Sequence, residues 1–268
     1  TQQLGKKSFL TVRGNFSWNE DEIVENDDPR VQYPWMEKRG TNVNGRWGWV
    51  AEGLFTSEEE IMDHAKQFGE GYPGQISKVG DIKYKDLNND GQIDAYDKTY
   101  ICRGDVPTMV YGFGFTLGWK NLSLDVVFNY SLGNDVYNYQ RRLLESGSRF
   151  HNQTTAMLSR WTHEGQETDI PRIYYLDAPG NSRFSDRWIE DGSYLRLKNV
   201  TLSYYFPIHT TYLQGITIWG SANNLLTFTK YLGADPEFSA DNSVLSRGID
   251  RGLLAQGRNF SLGVKINL

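Results

Sequence analysis

Six stretches of this chain alternate apolar and polar residues with the period of two that gives a β-strand one oily and one wet face. In the first, Leu10, Val12, Phe16 and Trp18 share a face, and Thr11, Arg13, Asn15 and Ser17 take the other. The second sets Met109, Tyr111, Phe113, Phe115, Leu117 and Trp119 against Gly112, Gly114, Thr116 and Gly118. The third sets Leu122, Leu124, Val126, Phe128 and Tyr130 against Ser123, Asp125, Asn129 and Ser131. Leu195 to Phe206 and Ile216 to Leu225 follow, and a last strand carries Phe260, Leu262, Val264, Ile266 and Leu268. Its other face is Asn259, Ser261, Gly263, Lys265 and Asn267.

Two architectures satisfy such a pattern: a soluble β-sandwich, or a barrel with lipid outside and water inside. The connections separate them. Strands two and three meet at a tight turn, Lys120-Asn121, and strands four and five at a modest one around Pro207 to Gln214. The others run to about 90, 60 and 30 residues, lengths uncommon for structureless loops in compact domains. Short turns on one rim and long loops on the other are the habit of outer-membrane barrels, and the parity of the six strands puts every long loop on one side. Gly45 to Phe55 reads as a further short strand inside the first loop. Ser57 to Gln67 reads as a short surface helix, capped by Ser57 with Glu60 three residues on.

Composition narrows the field. A hydrophobic fraction of 38% and a mean hydropathy of -0.58 exclude a helical membrane protein, but not a barrel, where only alternate residues meet lipid. An aromatic share of 14% and 27 glycines suit twisted, turn-rich strands. A net charge of -5 speaks against nucleic acid as a partner. The one cysteine, Cys102, can make neither an internal disulfide nor a cysteine-based zinc site and reads as an isolated thiol. Thr1 to Lys7 has no basic-then-apolar targeting pattern, so the expectation is a processed chain or one that begins inside a longer protein.

One loop carries candidate chemistry. In Asp86-Leu87-Asn88-Asn89-Asp90-Gly91-Gln92-Ile93-Asp94-Ala95-Tyr96-Asp97, oxygen side chains recur at calcium-loop positions, with glycine at the sixth. Asp86, Asn88, Asp90 and Asp97 would supply side-chain ligands, Gln92 its carbonyl, and Asp94 a direct or water-mediated contact. The cation would be calcium, or magnesium as the other hard ion, stiffening an outer loop. The plain alternative is a metal-free Asn/Asp/Gly turn. Trp161, Tyr174, Tyr175 and Trp188, in the second long loop, are candidates to stack on a substrate, against the alternative that they pack that loop together. Trp18, Trp119, Tyr204 and Phe206 fall near strand ends, where girdle aromatics meet headgroups. Gly112-Phe113-Gly114 lacks the following helix of a nucleotide loop. His64, His151, His163 and His209 are scattered, and no catalytic constellation emerges.

The stretches GWVAEGLFTSEEEI (48–61), PGQISKVGDIKYKDLNNDGQIDAYDKTYI (73–101) and YGFGFTLGWKNLSLDVVFNYSLGNDVYN (111–138) occur in this order. RWIEDGSYLRLKNVTLSYYFP (187–207) and WGSANNLLTFTKYLGADPE (219–237) follow. As an ordered set they resemble the C-terminal part of SusC/RagA-type TonB-dependent outer-membrane transporters of Bacteroidota. The resemblance implies an all-β fold: the C-terminal antiparallel strands of a transmembrane barrel of about 22 strands, with long extracellular loops. It also implies an N-terminal portion bearing the plug and remaining strands, action by TonB on that portion, and a SusD-like surface lipoprotein over the loops. The cargo would be oligosaccharide or peptide, and the role active import rather than catalysis. Six strands cannot close round a plug, and their edges would be costly in lipid, so pairing with that N-terminal portion is expected. The ending Ile266-Asn267-Leu268 departs from the terminal aromatic by which many such barrels signal insertion. A competing reading is a secreted, calcium-stabilised β-domain that binds glycans. It requires the oily faces to be enclosed between sheets.

Overall fold

The computed structural model describes residues 1–67, 77–147, 151–174, 177–208, 210, 212–237 and 246–267. Seven strands form one antiparallel sheet in chain order. They are β1 (Gln2–Gly5), β2 (Ser8–Trp18), β3 (Met109–Trp119), β4 (Leu122–Leu132), β5 (Tyr194–Pro207), β6 (Gly215–Thr229) and β7 (Asn259–Asn267). The six expected strands are all present. The seventh, β1, hairpins onto β2 through Lys6-Lys7 and escapes sequence reading because Gln-Gln-Leu-Gly has no alternation. Leu268 lies outside the described residues.

Register keeps the oily positions in rows. Leu10, Leu117, Leu124 and Leu202 stand side by side, as do Val12, Phe115, Val126 and Val200. Phe113 stacks on Phe128 with centroids 4.8 Å apart, and Phe16 meets Tyr111 at the same distance. A bulge interrupts the rows once. Lys198 is an extra residue on β5 relative to β4, and on the other side Asn224, at φ +53, lets β6 bridge the same irregularity. The alternation of β5 therefore changes phase, so Leu195 and Leu197 continue the stripe that Val200, Leu202 and Tyr204 begin.

This stripe is not enclosed. Val12, Trp119, Phe260 and Leu262 are 69%, 56%, 73% and 83% exposed, and Leu202, Ile218, Phe228, Val264 and Ile266 are exposed with them. A sandwich would cover them with a second sheet. Instead the buried residues gather where the long connections fold together. Phe55, Ile82, Tyr84, Ile93, Val136, Tyr137 and Trp188 are all buried, and every one lies in a loop. Trp49, Ala51 and Leu54 pack on the Ile82–Tyr84–Ile93 cluster.

Short strands organise this layer. Arg46–Gly48 pairs with Thr99–Cys102 and Ala51–Leu54 with Ile82–Tyr84, so the expected strand near Gly45 to Phe55 is present as two pieces inside the loop. Asp135–Asn138 lies between Ile189–Asp191 and Ile249–Asp250, joining the second and third loops. The expected helix is shorter than its pattern. It runs Glu58–Asp63, with the Ser57 hydroxyl accepting from the Glu60 N–H, and Lys66–Gln67 instead pairs with Gln92–Ile93. The reason is Gln67: its buried amide donates to the Ile82 carbonyl (2.9 Å) and accepts from the Tyr84 N–H (2.6 Å), serving as a piece of strand. Among the described residues no helix is long and apolar enough to cross a membrane.

Candidate functional site

The loop from Asp86 to Asp97 is shaped by its own carboxylates. Asp86 accepts from the N–H groups of Asn89 (2.7 Å) and Gly91 (2.9 Å), Asn88 from that of Asp90 (3.0 Å), and Asp90 from that of Gln92 (2.8 Å). Gly91 takes φ +81, where a side chain would be strained. Asp94 caps the short turn Ala95–Asp97, and buried Asp97 reaches back to accept from Leu87 (2.9 Å) and Asp94 (2.8 Å). Burial raises the Asp97 carboxyl above its ordinary range, against the lowering effect of these N–H donors. The donors are hard oxygens of the kind calcium prefers. Yet among the described residues no three His, Cys, Asp or Glu side chains stand arranged to hold a metal ion. The turn holds its shape through its own hydrogen bonds.

Of the four aromatic candidates, the three described, Trp161, Tyr174 and Trp188, stand in different settings. Trp188 is fully buried, donates through Nε1 to the Arg183 carbonyl (3.1 Å), and has the guanidinium groups of Arg141 and Arg187 5.5 and 5.4 Å from its ring centre. In this position it supplies contact area within the loop layer. Trp161 lies over Gly80, where an added Cβ would collide with the indole, and lines a cavity of about 360 Å³ with Leu54, Phe55, Gln166 and Thr168. Tyr174 is half-buried beneath Arg172 (5.2 Å) and is not among the walls of that cavity. Tyr175 lies outside the described residues. Cys102 is buried, and burial pushes its thiol up to about 11.

Buried ion pairs fasten the loops, and sequence reasoning missed them. Asp81, fully buried, meets Arg172 Nε (3.0 Å) and Asn181 Nδ2 (3.0 Å), tying the first loop to the second. Burial raises its carboxyl despite these partners. Arg141 bonds both Glu145 (2.9 Å) and Glu190 (2.8 Å). On the inner face of β5, Arg196 is 1% exposed and pairs with Asp235 and with Glu237 (2.9 Å), while Lys198 reaches Glu237 (3.1 Å). The returning limb joins them, since the Gln256 N–H donates to Asp235 (2.9 Å) and Asn224 donates to the Gly257 carbonyl (3.3 Å). Both limbs of the third loop are thus anchored at the bulge. The only hint in sequence is two cations, Arg196 and Lys198, in an otherwise apolar-alternating strand.

The rest of the inner face is polar and close-fitting. Arg13 grips both oxygens of Asp125 at 2.7 Å across β3, and the Thr116 hydroxyl donates to the same carboxylate (2.7 Å). Gly112 and Gly118 leave room for Asn15 and Phe9 to lie across the strand, and at Gly114 a Cβ would collide with the Val126 carbonyl, which together account for the glycines of β3.

No family model matches the chain. Over 238 residues it is 33% identical to TonB-dependent receptor P3 of Formosa agariphila, covering 85% of this chain and 22% of that protein. It is 23% identical over 265 residues to TonB-dependent receptor SusC of Bacteroides thetaiotaomicron, covering 94% of this chain and 24% of SusC. Its fold matches that of a chain of the RagAB peptide importer in the open-open state, with a TM-score of 0.72 and 25% sequence identity, over 100% of this chain and 27% of that chain. The chain therefore spans about a fifth to a quarter of the length of the proteins it matches.

Proposed function

We propose, from the premise that this chain is a barrel segment of the SusC/RagA type of TonB-dependent receptors, that it builds wall and outer loops of an energy-coupled nutrient importer. The carrying observation is the bare apolar stripe across the wall strands, set against a polar inner face and a packed layer of long loops. Hydrocarbon accommodates that stripe where water does not, which supports strands that cross the outer membrane; on this reading the long loops lie outside, as is the habit of barrels with short turns on the inner rim. The part of the transporter that precedes this segment supplies the plug, the remaining strands and the contact with TonB. The loop layer offers a broad, preassembled platform for a SusD-like lipoprotein lid. The cargo is an oligomeric nutrient, peptide or oligosaccharide, handled without catalysis. Calcium at Asp86, Asn88, Asp90, Gln92, Asp94 and Asp97, with magnesium as its competitor, would stiffen one margin of that platform once those carboxylates turn toward it.

The test is fractionation and uptake with the full-length protein. It is expected to sediment with the outer membrane, to require detergent, and to lose uptake when this segment is deleted. Defined peptide and oligosaccharide mixtures identify the cargo class. Solubility without detergent would end the importer reading.

A further inference from the structure

The short-turn rim carries a feature that transport does not require. Of the chain's 33 carboxylates, all but Asp125 lie in the three long connections. The wall and its short turns instead hold Lys6, Lys7, Arg13, Lys120, Arg196, Lys198 and Lys265. Two of these residues, Lys7 and Lys120, border one cleft beside the apolar stripe. The Lys120 N–H donates to the Lys7 carbonyl (2.7 Å), which clamps the Lys6-Lys7 and Lys120-Asn121 turns together. Lys120, at φ +54, sets its ammonium 4.8 Å from the centre of the Trp119 ring. A cleft of about 630 Å³ opens there, lined by Lys7, Trp119, Lys120, Asn121, Leu122 and Tyr204. Trp119, Leu122 and Tyr204 belong to the outward stripe, so the cleft faces lipid and not the lumen. Neither lysine has a carboxylate partner among the described residues, and the three short turns contain no Asp or Glu.

We propose that this cleft binds the phosphate of a phospholipid headgroup in the leaflet that borders the short turns, an inference that rests on the membrane reading above. The Lys120 ammonium over Trp119, with Lys7 bordering the same cleft, suits a phosphodiester: the cations take the charge while Trp119, Leu122 and Tyr204 lie along the glycerol and upper acyl chains. The Asn121 amide adds a neutral donor at the rim. The hairpin geometry fixes both lysine backbones beforehand, so little ordering is left for binding.

Native mass spectrometry of the full-length transporter in mild detergent, titrated with phosphatidylglycerol, tests this. Lys7→Gln and Lys120→Gln should each weaken retention about fivefold, the loss expected for one interfacial lysine. Lys265→Gln, on the inner face of the same rim, should leave retention unchanged. Folding of each variant is checked by its heat-modifiable gel mobility. Equal retention by wild type and the folded double variant would overturn the proposal. So would inorganic phosphate competing as well as the lipid does, since the site would then recognise an anion without its chains. A wild-type protein that carries no lipid and needs no detergent would instead bring down the membrane reading itself.

Discussion

Single residues decide how firmly the loop layer holds. Glu60 accepts from Lys83 Nζ (2.7 Å) and from the Thr56 N–H (2.7 Å), which fastens the helix Glu58–Asp63 to the strand Ile82–Tyr84. Partial burial raises its carboxyl, but these bonds outweigh it and hold it near 2, lowered from 4.5. A depressed carboxyl contributes stability that is present above its unfolded value and is lost as pH falls. Proteolysis within 56–67 should therefore accelerate as pH drops from about 4.5 toward 2, and Glu60→Gln should abolish that dependence. The Asp86–Asp97 turn gives a second residue-scale outcome. Calorimetry with calcium should register binding to the native protein and none to Asp86→Ala/Asp90→Ala; no heat in either would leave a turn closed by its own hydrogen bonds. The oxygen-rich spacing of that turn was legible at this scale because residue identity is a property of sequence. Trp188 was not. An indole in a long loop looks the same on paper whether it waits for a sugar or, as here, is buried against Arg141 and Arg187.

At the scale of elements, β7 offers a paired test of which face meets lipid. Val264 is 60% exposed on the apolar stripe, and Ser261 lies on the opposite face opposite Ser221. Val264→Arg should cost about 2–4 kcal/mol if it lies at the bilayer midplane, while Ser261→Arg costs little. Outer-membrane assembly yield and urea unfolding in micelles would measure the difference, and similar losses on both faces would contradict the assignment. The third loop supplies another case. Arg196 is buried with Asp235, so Arg196→Ala strands that carboxylate, leaves Glu237 to Lys198, and should cost about 3–5 kcal/mol locally. Limited proteolysis near 246–258 should then speed up by at least tenfold, and unchanged cleavage would mean that the loop is held by other contacts. Strand positions were legible because period-two alternation survives any register. The bulge at Lys198 was not, because a bulge is a relation between neighbouring strands and has no composition of its own.

At the scale of the whole molecule, the two edges govern behaviour. β1 and β7 each lack a neighbour on one side among the described residues, and the apolar stripe between them is bare. Unpaired strand edges and exposed apolar surface both drive association. Expressed alone, this segment should aggregate. Co-expressed with the part of the receptor that precedes it, it should assemble into a heat-modifiable barrel, as gel mobility would show. A monomeric, detergent-free segment would contradict this. The loop layer should survive as a unit in the assembled protein, because its Ile82–Tyr84–Ile93 core packs against Trp49, Ala51, Leu54 and Ala65 of the same long connection.

The sequence by itself determined the strand count to within the edge strand Gln2–Gly5, the oily and wet faces, and the rim on which long loops gather. It could do so because alternation and turn length are local quantities, set by the geometry of the extended chain. Tertiary structure alone decided that the hydrophobic core sits in the loops, that Gln67 acts as strand, that Trp188 is sealed and that Arg196 anchors a distant limb. Each of these depends on which residues become neighbours at a distance along the chain, 15 positions for Gln67 and Ile82 and 39 for Arg196 and Asp235, and no local pattern encodes that proximity.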